Sequence, residues 1–157
     1  MKSNQYSYKD VAMWFLNKEP MTQRKLQKLC FYVYAWSLTL LDYSIIKDTK
    51  FQAWEHGPVS PELYEDYKFY GWRDIPKNEN IHIKFDEKAQ ELIESVWLTY
   101  GDKSGNELYA LSTEETPWVL GNMKNNKCSC NKKDGSSDIL IDEEDIKKYY
   151  REIYSGV

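Results

Sequence analysis

The chain has 157 residues, a net charge of -4 and 15% aromatic residues, among them thirteen Tyr and six Trp. That length suits one domain with one hydrophobic core. The mild acidity supplies no general attraction to nucleic acid or anionic membrane, and no stretch approaches the ~20 apolar residues of a membrane span. The N-terminus has no apolar signal core, and the three cysteines, Cys30, Cys128 and Cys130, make an odd, reduced pattern; the expectation is a cytoplasmic protein.

In chain order, Ser7 opens a short helix to about Lys18, with Asp10 as its capping acid and Tyr8, Val11, Ala12, Phe15 and Leu16 on one face. Pro20 ends it, and the brief connection folds it back on the next helix, which Thr22 caps. That second helix, Thr22 to Tyr43, organises the rest. Leu26, Leu29, Cys30, Val33, Trp36, Ser37, Leu40 and Leu41 fill one face, and Phe31, Tyr34, Ala35 and Leu38 fill the other, so it belongs inside. Its first turns are different. Arg24, Lys25 and Lys28 place three cations against the positive end of the helix dipole, an unfavourable position of about 0.3 to 1 kcal/mol each, and this misfit marks a binding surface.

Phe51 to Trp54 alternates like a strand, and Glu55-His56-Gly57-Pro58-Val59-Ser60-Pro61 reads as a rigid turn in which Gly57 takes a backbone conformation that a side chain would obstruct. Ser60 and Pro61 then start a helix that Gly71 stops, with Leu63, Tyr64, Tyr67 and Tyr70 inward. A loop follows, with Ile81-His82-Ile83 as a candidate strand. Asp86 to Tyr100 is the clearest amphipathic helix, and Ser104 with Glu107 boxes the start of another. Glu114 to Trp118 adds one turn, residues 122–138 read as a mobile polar loop, and 142–154 form a C-terminal helix. The predicted fold is mainly α: a single compact domain over 1–157 of about six helices around a central buried helix, with room for a small β-hairpin.

Chemistry-bearing clusters are few. Glu55-His56 is the sole adjacent acid and imidazole, and neighbours on an extended segment point apart, so the chain reads as non-enzymatic. Cys128 and Cys130 lack the two further ligands that a structural zinc needs, so neither a metal nor a cofactor is expected. The first two helices and their three-residue connection also suit a helix-turn-helix with Arg24, Lys25 and Lys28 facing DNA, but the second helix turns apolar within two turns and the overall charge is acidic. The remaining reading is a protein-binding surface: aromatics on a rigid loop, Trp54, His56, Gly57, Pro58, Val59, Tyr64, Trp72 and Trp118, beside a cationic helix end.

Three segments carry a family resemblance: Lys25 to Tyr32, with its Leu-Gln-Lys-Leu core; Phe51 to Tyr64, with Ala-Trp-x-x-Gly-Pro-Val; and Leu108 to Leu111 followed by Thr116-Pro117-Trp118. In order and spacing they resemble the SocA-like Panacea antitoxin domain, also met in GepA-type phage-associated proteins, over residues 8–118. Ser112-Thr113 stand where the family pattern has Thr-His. The resemblance implies a non-enzymatic protein of bacteria or prophages that neutralises a cognate toxin by binding it, in the SocA case as an adaptor to a ClpXP-type protease. The alternatives are a DNA-binding regulator and a phage inhibitor of a host defence protein. Arg24, Lys25 and Lys28 are the candidate polar contacts to the partner, and Trp54, Gly57, Pro58, Tyr64 and Trp118 are the candidate scaffold and anchor.

Overall fold

The computed structural model describes residues 4–80, 83–129 and 132–156. The described elements are, in order, α1 (Tyr8–Leu16), β1 (Met21–Thr22), α2 (Gln23–Leu41), β2 (Gln52–Trp54), β3 (Gly57–Val59), α3 (Pro61–Tyr67) with a 3₁₀ turn at Lys68–Tyr70, β4 (Asp74–Ile75), α4 (Glu87–Tyr100), α5 (Gly105–Glu114), α6 (Thr116–Cys128) and α7 (Glu143–Tyr154). The fold is mainly α, as the hydrophobic periodicity predicts. Each start expected from a polar cap is made by that residue: Ser7, Thr22, Ser60, Asp86, Ser104 and Asp142 accept a backbone N–H of the first turn through their side chains.

The central helix is α2. From Leu26 to Ala35 every side chain is buried, and α7, α5, α4 and α1 pack around it. Its tyrosines bring polar groups into this core and need partners there. Tyr32 stacks on Tyr100 with ring centroids 4.0 Å apart, and its hydroxyl donates to Glu115 Oε1 at 2.6 Å, where Tyr150 also donates at 2.8 Å. Trp36 Nε1 donates to Tyr100 Oη at 3.0 Å. Helices α2, α4 and α7 and the start of α6 are thereby tied through one buried polar centre, in which burial raises the Glu115 carboxyl above its ordinary range while the two tyrosine bonds hold it back.

Two antiparallel pairs complete the architecture: β1 with β4, register Met21 to Ile75, and the hairpin β2 with β3, register Gln52 to Val59. The hairpin reverses through Glu55 and His56, and Gly57, at φ +112°, enters β3 in a conformation that favours glycine.

Several expectations need correction. Among the described residues there are seven α-helices rather than about six, because residues 122–128 continue α6 instead of joining a loop. The buried face of α6 is Pro117, Gly121 and Asn125, at four-residue steps but without an apolar stripe, so periodicity could not reveal it. Gly121 lets the helix approach Ala53, whose Cβ would lie 2.9 Å from a Cβ at that position. Asn125 Nδ2 donates to the Ala53 carbonyl at 2.8 Å, and Ser137 Oγ donates to Asn125 Oδ1. Nor is the segment from Gly135 onward a free loop. Glu55 N donates to Gly135 O at 2.8 Å, Ala53 N to Ile139 O at 2.9 Å and Ile141 N to Phe51 O at 2.9 Å, so this stretch lies along the outer edge of β2. In α3 only Leu63 is buried; Tyr64, Tyr67 and Tyr70 are partly exposed. The expected strand at Ile81-His82-Ile83 includes two positions outside the described residues, as is Cys130, while Cys128 closes α6.

Candidate interaction face

The hairpin is held onto α2 by the polar residues of the Leu-Gln-Lys-Leu stretch. Gln27 reads both backbone groups of Ser60, donating from Nε2 to its carbonyl at 3.0 Å and accepting its N–H on Oε1 at 2.9 Å. One residue on, Lys28 Nζ donates to the carbonyl of Pro58 at 3.2 Å. The space for that lysine exists because Gly57 has no side chain: a Cβ there would stand 2.7 Å from Lys28 Cε and 3.1 Å from Ser112 Oγ. The two most distinctive sequence stretches are therefore each other's partners.

This places Lys28 differently from the expectation of a surface contact. It is 2% exposed, and burial, with Arg24 as a second cause, lowers its pKa to about 7. Its first role is to carry the hairpin. Lys25 is likewise committed, with Nζ 2.9 Å from Glu19 Oε1 and 2.6 Å from the carbonyl of Gly101, where it closes the C-terminal end of α4.

Arg24 remains available. Gly105, at the start of α5, would bring a Cβ within 3.0 Å of Thr22 Oγ1 and 3.3 Å of Arg24 Cβ, so the absence of a side chain lets α5 meet the first turn of α2 closely. Arg24 Nη1 then donates to Asn106 Oδ1 at 2.7 Å, and its guanidinium lies between two rings, 5.0 Å from the Trp72 centroid and 5.2 Å from that of Tyr109. Tyr109 continues the row to His56 at the hairpin tip, edge to face at 5.4 Å. Trp72 is 80% exposed directly beside the guanidinium.

The expected scaffold residues also gather around the hairpin. Trp54 packs on Tyr64 with centroids 4.9 Å apart, linking β2 to α3, and Trp118 Nε1 donates to the Trp54 carbonyl at 2.9 Å, linking α6 to β2. Gly57 and Pro58 are buried beneath the tip. The structure thus brings together Arg24, Trp54, Gly57, Pro58, Tyr64 and Trp118, turns Lys25 and Lys28 inward, keeps Trp72 and His56 on the outer face and adds Tyr109 and Asn106 beside them. Tyr109 and Asn106 were missed by reading the sequence; a tyrosine one position after a buried leucine in a short capped helix is the faint signal that they carry.

The arrangement defines a helical domain that displays a braced hairpin and an aromatic-cationic row. The family model for SocA-like antitoxins with a Panacea domain matches residues 26–119. The chain belongs to that family, and the match spans the central helix from Leu26 onward, the hairpin and the Trp118 anchor. Comparison with curated proteins and with solved structures gives no match. Thr113, standing where the expected pattern has histidine, donates from Oγ1 to the carbonyl of Tyr109 at 2.9 Å, and Ser112 lies buried beneath Gly57.

Proposed function

We propose that the protein is a non-enzymatic antitoxin that acts in the cytoplasm by binding a cognate toxin protein directly. Family membership supports the antitoxin role, and the observation that favours direct binding is the row Trp72, Arg24, Tyr109 and His56, displayed over a hairpin braced by Gln27, Lys28, Asn125 and Trp118. Tryptophan, tyrosine and arginine are the residues that most often dominate protein–protein binding energy, and a rigid support lowers the entropic cost of using them. Handing the toxin to a ClpXP-type protease is an extension of this reading.

The test is expression of the adjacent open reading frame in a bacterial host with and without this protein. The reading expects growth arrest by the neighbour alone, rescue on co-expression and a co-purifying complex. A toxic neighbour that is rescued without any complex overturns direct binding, and a harmless neighbour removes that product as the toxin. A toxin half-life that shortens only in a host with an intact protease supports the adaptor extension, and an unchanged half-life removes it.

A further inference from the structure

Arg24 has three features that together ask for a ligand. Its guanidinium is fixed between the rings of Trp72 and Tyr109 and anchored at one end on Asn106. Among the described residues it takes part in no ion pair, and neither does Lys28, one turn along the same helix, so two cations stand near each other with no carboxylate within 4.0 Å of either. Some cations of the chain are paired, Lys25 on Glu19, Lys68 on Glu65, and Lys147 and Arg151 on Asp42, and others such as Lys9, Lys47 and Arg73 are not, among the described residues; what distinguishes Arg24 is an unpaired guanidinium set against two aromatic rings. A planar guanidinium seated against aromatic rings, with Nη1 bonded and the rest of its donor edge in no hydrogen bond among the described residues, matches a carboxylate in two-point geometry.

We propose that the Trp72, Arg24 and Tyr109 stack is the seat of an acidic side chain of the protein partner, with Trp72 covering that side chain's stem. The proposal rests on the antitoxin reading for the nature of the partner, and on charge complementarity for its chemistry. A nucleic acid fits less well. It presents phosphates in a regular series, whereas this face offers the partly buried Arg24 and an exposed Arg73 whose guanidinium is bonded to the Phe69 and Tyr70 carbonyls, and Glu55, Asp74 and Glu107 adjoin His56, Arg73 and Asn106 along the chain.

The experiment uses the whole protein and probes of known composition: acetylated deca-glutamate, acetylated deca-glutamine and deca-thymidylate. The side-chain N–H resonances of Arg24 Nε and Trp72 Nε1 are followed by NMR. Deca-glutamate should shift both in a saturable manner and deca-glutamine should shift neither. Arg24→Gln should weaken deca-glutamate binding at least tenfold. Arg24→Lys should restore little of it, because an ammonium cannot lie as a fork between two rings. Trp72→Ala, at a position too exposed to matter for folding, should weaken binding several-fold. Shifts confined to other residues, equal affinity of the Arg24→Gln protein, or tighter binding of deca-thymidylate would each overturn the proposal. Since no toxin is needed, failure here is separate from failure of the antitoxin reading: growth rescue with a silent Arg24 sinks only the carboxylate seat.

Discussion

Lys28 and Gly57 share one space: the lysine stem passes where a Gly57 side chain would begin, 2.7 Å from Cε, and its ammonium caps the carbonyl of the following residue, Pro58. Gly57→Ala should therefore cost stability twice, through the φ of +112° and through the displaced lysine, about 3 kcal/mol in all by urea unfolding. In the Lys28→Ala background the backbone part remains, with only the 3.1 Å approach to Ser112 Oγ beside it. A double-mutant cycle should show coupling of about 1 kcal/mol or more, whereas strict additivity would mean that the two residues do not constrain each other.

The same lysine predicts a pH dependence. Its folded pKa is lowered to about 7 from 10.5, first by burial and then by Arg24. Between those values the unfolded chain holds a proton that the folded chain has released, so stability contributed by this site rises with pH across pH 7 to 10, with a limiting slope of about 1.4 kcal/mol per unit. Below pH 7 both states are charged and the burial penalty is felt in full. Urea unfolding at pH 7, 8.5 and 10 should show the wild type gaining on Lys28→Met at each step, and parallel profiles would contradict an ammonium buried without a counter-charge.

Glu115 accepts the hydroxyls of Tyr32 and Tyr150 inside the core. Removing it leaves two buried donors without an acceptor, so Glu115→Ala should lose about 3 kcal/mol, while Glu115→Gln, which keeps an acceptor oxygen, should lose about 1 kcal/mol. The comparison is made on urea midpoints at unchanged m-value. Equal losses would show that the acceptor does not matter.

On α6, Asn125→Leu preserves bulk but strands the Ala53 carbonyl and the Ser137 hydroxyl. A loss of about 1–3 kcal/mol is expected, with amide exchange of Ala53 and Glu55 accelerated more than that of α2. Unchanged exchange at the hairpin would separate α6 from its support.

What could be read from the chain follows from the kind of signal each element carries. Helices with an apolar stripe and a polar cap, such as α4 with Asp86 and α5 with Ser104 and Glu107, are visible as periodicity and spacing. Helix α6 is not, because its inward face is Pro117, Gly121 and Asn125, chosen to approach a backbone closely and to bond it, and composition there resembles a loop. The cationic turn of α2 is conspicuous in sequence, yet its three members have three fates that depend on residues far along the chain: Lys25 meets Gly101, Lys28 meets Pro58 and Arg24 meets Asn106. Local spacing identifies the charge but not its distant partner.

The central claim is that the face around the hairpin tip is where a partner protein docks. Hydrogen exchange of this protein, alone and in complex with the toxic product of the adjacent reading frame, tests it most directly. A second groove, lined by Trp36, Leu40, Leu92, Val96 and Tyr154, serves as the control: the account predicts slowed exchange in residues 23–28, 54–58, 69–74 and 105–113, with that groove unchanged. Protection confined to that groove, with the hairpin and α5 exchanging as in the free protein, would contradict it.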